Sequence, residues 1–403
     1  MTNLRVSTSG LFAQGLSSMQ LRQGEIAKLN QQINSGVRLT RAADDPAGMA
    51  ASQRLDHLLA RLEQYGSNAT IADSRLRQQE SALSDSGDIL LRARELAVQA
   101  NNDSLSDPDR RAIALELRSL RAGLLQIANR DDGAGRRLFA GTRDGVVPFT
   151  DNAGSVAYSG DDGQNVIDIG PDASVRDSNP GSEVFLRVRT GDGTSRARAA
   201  AANTGTGVLE TAQVIDPAAW NGATLTLRFS GPGSYEVVDG AGNPLAPPVA
   251  GSYTPGQAIV AQGAQFQVSG TPAAGDSFTL QRAPNQDVFA TLQQLADALD
   301  TPALTDADRV RRRNALTAGL KDVDQAQQHF LDLRADTGVR RNELDQAADR
   351  RLADDESFRT MLSDLRDTDL TEAISQLNLK MVALEAAQRL MVRMQAGSLF
   401  DRL

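Results

Sequence analysis

The stretch LDHLLARLEQYGSNATIADSRLRQQESALSDSGDILLRARELA, residues 55–97, places its seam positions at Leu55, Leu58, Leu62, Tyr65, Ala69, Ala72, Leu76, Gln79, Leu83, Ser86, Leu90, Ala93 and Ala97. Steps of three and four alternate throughout, the spacing that keeps one side of an α-helix turned toward a partner helix. The pattern predicts a helix over residues 46–100, roughly 80 Å long at about 1.5 Å per residue. A single rod of that length is not held by its own hydrogen bonds in water and needs a partner along its seam. Alanine at several seam positions lets that partner's backbone come close.

The partner is expected from the other end of the chain. Thr305-Asp306-Ala307-Asp308 reads as a helix start, with Leu316, Leu320, Val323, Gln327, Phe330 and Leu344 as seam positions after it. A second N-terminal run (Ile113, Leu117, Leu120, Leu124, Ile127) follows Ser106-Asp107-Pro108-Asp109, where proline fits the first turn and the acids suit the positive helix end. Each end of the chain also carries a shorter helix set off by a break. Residues 16–33 have Met19, Ile26 and Ile33 seven apart, followed by the break at 35–45. After the charged break at 364–369, Asp369 and Glu372 can cap a last helix with Ile374, Leu377, Met381, Leu384, Gln388 and Met391 on its apolar side. The simplest packing sets terminal helix on terminal helix and rod on rod.

Between the rods the composition changes. Of 34 glycines, 21 lie between Gly141 and Gly275, with the one tryptophan and three of four tyrosines, which marks a loop- and strand-rich block. Trp220-Asn221-Gly222 before the alternating Leu225, Leu227 and Phe229 reads as hairpin chemistry, and Asp239-Gly240 as a turn supplying positive φ. Phe266 with Val268, and Phe278 with Leu280, read as further strands. Residues 151–220 are placed only by composition. The expected fold is therefore α+β and multidomain: long antiparallel coiled-coil rods from both termini with an inserted β-rich domain. Its divisions are terminal helices (1–45 and 366–403), a helical rod domain (46–140 and 286–365) and a β-rich outer domain (141–285).

Composition argues against most chemistry. The 403 residues carry a net charge of −9, unsuited to a nucleic-acid groove with many phosphate contacts. Cysteine is absent, which removes disulfides, thiolate zinc sites and cysteine nucleophiles. His57 and His329 are the only histidines, His57 reading as helix surface, and no His-Glu-x-x-His occurs. Lys28, Lys321 and Lys380 are the only lysines and none follows glycine, so no phosphate-binding Gly-Lys pair exists. Asp131-Asp132 and Asp161-Asp162 sit beside glycine without the spacing of a calcium loop and read as turn residues. No run approaches the roughly 18 apolar residues of a membrane-spanning helix. The expectation is no enzyme, no metal, no cofactor, no nucleic acid and no membrane insertion.

Ser35-Gly36-Val37-Arg38 followed by Ala43-Asp44-Asp45-Pro46-Ala47-Gly48 resembles the N-terminal motif of bacterial flagellins and flagellin-like hook-associated proteins. Asp45-Pro46 alone is explained by helix capping; the surrounding spacing and the mirrored terminal helices carry the resemblance further. Several features resemble the hook–filament junction branch of that family more than flagellin. These are Arg5-Val6-Ser7-Thr8 at the start, and Arg137-Leu138-Phe139-Ala140-Gly141 with Val147-Pro148-Phe149 where helix gives way to β structure. Tyr253-Thr254-Pro255-Gly256, Ile259, Gly263 and SGTPAAGDSF at 269–278 resemble its outer β domain. The ending Ser398-Leu399-Phe400-Asp401-Arg402-Leu403 resembles its C-terminus, with Arg402 where tyrosine is commoner.

The resemblance implies a secreted structural protein of the flagellar axis, located at the hook–filament junction and exported without a cleaved signal peptide. Met19, Ile26, Ile33, Ile374, Leu377, Met381, Leu384, Met391, Leu399 and Phe400 would serve axial assembly. Implied partners are further copies in a ring or helical array, the first hook-associated protein on the hook side, flagellin or its cap on the filament side, and a flagellar export chaperone. Two other readings stay open: flagellin itself, and a cytoplasmic coiled-coil signalling protein, against which the block at 141–285 counts.

Overall fold

A computed structural model describes residues 8–43, 45–102, 104–152, 154–231 and 233–400, the side chains of 8, 9, 11 and 394–400 excepted. The chain forms two compact units, residues 1–67 with 348–403, and residues 68–347. The cuts fall inside α2 and α6 below, whereas the expected boundaries follow the breaks between helices.

The first unit contains α1 (Thr8–Ser35), the start of α2 (Pro46–Ala100), the end of α6 (Asp306–Arg366) and α7 (Leu370–Phe400). Helix α1 extends beyond the expected 16–33 at both ends. It packs antiparallel on α7: Glu25 binds Lys380 at 2.7 Å, while a Cβ on Gly15 would stand 4.0 Å from the Met391 methyl. Helix α7 starts where Asp369 accepts the amides of Thr371 and Glu372.

The second unit holds the remainder of α2 and α6 with α3 (Asp107–Ala128) and α5 (Val288–Asp300). Ser106 and Asp109 form a reciprocal capping box at the start of α3, and Thr305 with Asp308 does the same for α6. Ion pairs Asp73–Arg341, Glu80–Arg334 and Arg94–Asp324 rise along α2 as they fall along α6, so the two helices run antiparallel. Seam residues Leu62 through Ala97 are buried or half-buried as the spacing predicts, whereas Leu58 is exposed. The seam is not wholly apolar. Buried Gln79 donates to Asn179 Oδ1 at 2.9 Å and Thr337 Oγ1 at 2.8 Å, and accepts the Asn179 amide at 2.6 Å. Buried Arg75 lies between Asp132 at 3.1 Å and Asp177 at 2.7 Å.

The β structure divides in two. Strands β1 (Phe149–Asn152), β2 (Ser155–Tyr158), β3 (Val166–Gly170), β4 (Ala173–Arg176) and β5 (Val188–Arg189), with a π-turn at Ser182–Leu186, lie against the helices. Phe149, Val184, Phe185 and Val188 join the helical core, and Ile169 and Val175 pack with Ala72, Leu76 and Leu344. The rest is β6 (Ser195–Ala199), β7 (Val208–Val214), a four-residue helix α4 (Pro217–Trp220), β8 (Leu225–Gly231), β9 (Ser234–Asp239), β10 (Pro244–Ser252), β11 (Ala258–Ala261), β12 (Ala264–Ser269) and β13 (Ser277–Arg282). These form antiparallel sheets in the orders β10-β9-β8-β13-β6 and β11-β12-β7, closed on a separate core of Leu225, Leu227, Phe229, Phe266, Phe278 and Leu280. Strand β14 (Asn285–Gln286) pairs back with β5.

Two turn readings need correction. Trp220-Asn221-Gly222 is no hairpin: Trp220 ends α4, and Asn221 at φ 48° is its left-handed cap. In the β9–β10 turn the positive φ falls on Gly242, not Gly240, because Asp239 accepts the amides of Ala241 and Asn243 and moves the left-handed position onward.

Candidate assembly surface

Three sets of residues stand out, and the first lies at the breaks between helices. Gly36, at φ 71°, ends α1 in the left-handed conformation that glycine adopts without strain. Beside it the Val37 amide donates to Ser35 Oγ at 3.3 Å. The amide of Thr368 donates to Gly36 O at 2.9 Å, and that of Arg38 donates to Arg366 O at 2.7 Å. The Arg38 guanidinium adds a bond to Leu365 O at 2.9 Å. The motif Ser35-Gly36-Val37-Arg38 is thus stitched to the break near the other end of the chain. Beyond it, Asp45 caps α2 by accepting the Gly48 amide at 2.8 Å, and Pro46 occupies the first helical position. A Cβ on Gly48 would collide with the Asp45 carboxylate and stand 3.1 Å from buried Leu39. Asp44, like Arg5-Val6-Ser7 and Asp401-Arg402-Leu403, lies outside the described residues.

The second set lies where helix gives way to strand. Leu138, Phe139 and Phe149 are fully buried, and Pro148 is buried beside them. Phe185 is the hub of an aromatic cluster, with Phe139 at 5.2 Å, Phe149 at 5.5 Å, Phe289 at 5.8 Å and Phe330 at 5.9 Å between ring centroids. Gly141, at φ 71°, lets Asp161 approach so closely that a Cβ there would overlap its carboxylate and carbonyl. Asp161 accepts from the hydroxyl and amide of Thr142 and from the Gly163 amide, and these bonds hold its carboxyl below the usual aspartate range. Burial pushes the Tyr158 phenol up to about 12, and it donates to Asp161 O at 2.8 Å. The motif resemblance singled out Phe139 and Phe149 and the helical spacing Phe330, but Phe185 and Phe289 were missed; the apolar run Val184-Phe185-Leu186 in a glycine-rich stretch was the available signal for the hub.

The third set is the α1–α7 pair. Met19, Ile26, Ile33, Leu377, Leu384 and Met391 are half-buried, while Ile374 and Met381 are exposed. Leu399 and Phe400 belong to α7, but their side chains lie outside the described residues. Further apolar side chains stand in solvent: Leu21 (69% exposed), Leu379 (73%), Val382 (67%), Leu390 (62%) and Val392 (65%). The antiparallel pair therefore leaves much of its apolar surface unpartnered in the single chain.

The bacterial flagellin N-terminal helical region matches residues 6–144. Flagellar hook-associated protein 3 of Salmonella typhimurium is 34% identical over 151 residues, 38% of this chain and 48% of that protein. The Escherichia coli protein of the same name is 25% identical over 403 residues, 99% of both chains. The solved structure of FlgL from Xanthomonas campestris superposes with a TM-score of 0.71 at 40% identity, covering 77% of this chain and 99% of that one. The chain belongs to the FlgL, or flagellar hook-associated protein 3, family. Its full-length match is to hook-associated protein 3, whereas the flagellin of Clostridium tyrobutyricum matches over 141 residues, 35% of this chain. In this FlgL-family chain the helix-break and helix-to-strand motifs are thus two tightly built joints, and the α1–α7 pair is the surface left open.

Proposed function

We propose that the chain is a structural axial protein of the bacterial flagellum, joining the hook side to the filament and allowing flagellin to assemble on it. Its helices act as long antiparallel coiled-coil rods, its terminal helices as the axial inner part and the β structure as an inserted outer domain. Partners are other copies in a ring or helical array, the first hook-associated protein on one side, and flagellin or its cap on the other. It performs no catalysis and takes no cofactor. Export proceeds without a cleaved signal, with the N-terminal segment as address and the C-terminal helix held by a chaperone on the way.

The observation that carries this reading is the exposed apolar surface of α1 and α7. A lone chain gains nothing from Leu379, Val382 and Leu390 in water, whereas stacked neighbours can bury them. Leu379→Asp with Val382→Asp is therefore expected to leave the monomer's unfolding free energy within about 0.5 kcal/mol of the parent, as surface changes do. In cells lacking the protein, the same double variant is expected to restore no filaments. Normal filaments from it would remove the α7 surface from assembly. Long filaments built of this chain alone would make it a flagellin instead.

A further inference from the structure

The β structure at 195–283 and the helices have separate apolar cores, and the two share no residue among those described. The chain passes between them twice, in a narrow neck. Val188 and Arg189 pair with Gln286 and Asn285, the Thr190 amide donates to Pro284 O, and the Ala283 amide donates to Thr194 O. A two-strand ribbon this short twists and bends easily and does not by itself fix an angle.

Helix α6 supplies what the neck lacks. Arg311 donates to Asn203 O at 3.0 Å. Asn314, 8% exposed, accepts the Leu209 amide at 3.0 Å and donates to Gly207 O at 3.1 Å, pairing with the start of β7 as a neighbouring strand does. Just over two turns on, Asp322, 2% exposed, accepts the Gly191 amide at 2.7 Å and pairs with Arg196 of β6. Spacings of three and eight set these residues on one face of the helix. Apart from Arg196, everything they hold across the joint is main chain. Between them lies a cavity of about 790 Å³, walled by Ala199 and Thr279 on the strands and Ala298, Ala315 and Gly319 on the helices.

We propose that Arg311, Asn314 and Asp322 form a polar clamp through which α6 fixes the orientation of the outer β structure, and that this clamp sets the stiffness of the joint. Because apolar packing does not fill the cavity, the joint opens by exchanging hydrogen bonds with water instead of exposing core.

Pairs of electron-spin labels on the full chain test this, and the absence of cysteine makes introduced labels unique. Ala241→Cys lies in the exposed β9–β10 turn and Gln328→Cys on exposed α6. A narrow distance distribution is expected in this background. Asn314→Ala is expected to broaden it, with unchanged circular dichroism. Exchange of the Leu209 amide rises about tenfold, the scale of one lost hydrogen bond, while the Phe266 amide is unaffected. Arg311→Ala leaves the buried amide in place and broadens the distribution less; it decides alone if the Asn314 variant does not fold. An unchanged width in the folded variants overturns the proposal.

Discussion

At the scale of single residues, two glycines with nearly the same backbone separate conformational strain from crowding. Gly133 and Gly141 take φ 78° and 71°, but nothing lies within 4 Å of a Cβ on Gly133, whereas one on Gly141 overlaps Asp161. Gly133→Ala is expected to cost about 1 kcal/mol, the price of a left-handed alanine. Gly141→Ala adds displacement of Asp161, whose carboxylate holds Thr142 and Gly163, and is expected to lose about 3 kcal/mol in all. Urea midpoints of the two variants measure the difference, and equal losses would mean that the Asp161 turn yields freely. The motif Arg137-Leu138-Phe139-Ala140-Gly141 therefore has a physical basis: two side chains enter the core and the glycine admits a carboxylate.

At the scale of elements, the α2 seam gives the sharpest contrast. Leu76 is fully buried among Ala72, Ile169, Val175 and Leu344, while Leu352 on α6 is 70% exposed. Leu76→Asp buries a charge with no partner and is expected to destabilise by several kcal/mol; Leu352→Asp is expected to stay within about 0.5 kcal/mol of the parent. Thermal melts of the two full-length variants check the register. This seam was legible because helical contacts recur every three or four residues, so the sequence carries the geometry locally. Strand partners are not written that way. Strand β6 pairs with β13 some eighty residues later, and four- or five-residue strands such as β1 to β4 carry too few positions to show alternation. Asn221-Gly222 misled for a related reason: a left-handed asparagine serves a helix end as well as a hairpin. The helix-break motif was legible as a cap at Asp45, but not its pairing with residues 365–368, since no local pattern records a partner more than three hundred residues away.

At the scale of the whole molecule, helices from both flanks of the chain pack in one unit, and its charge pairing responds to pH. Glu25 is held below its ordinary 4.5 first by its hydrogen bond to Lys380 and then by that lysine's charge. A carboxyl depressed on folding contributes fully above its ordinary value, and that contribution is lost as pH falls through the lowered one. Melts at low salt are therefore expected to show a small decline on acidification below about pH 4.5, absent in Glu25→Gln, with salt weakening it in the parent because the pair is exposed. A decline of equal size in Glu25→Gln would assign it to other carboxylates. The composition of that unit also imposes an order in time. Residues 68–347 are contiguous and contain everything their own cores require, so they can close while the last residues are still being made. Residues 1–67 have no such independence: Gly36 and Arg38 wait for Arg366 and Thr368, and Glu25 for Lys380. This N-terminal part of the unit is thus made long before the residues it pairs with, and until they follow it remains an open segment available to any other protein that binds it.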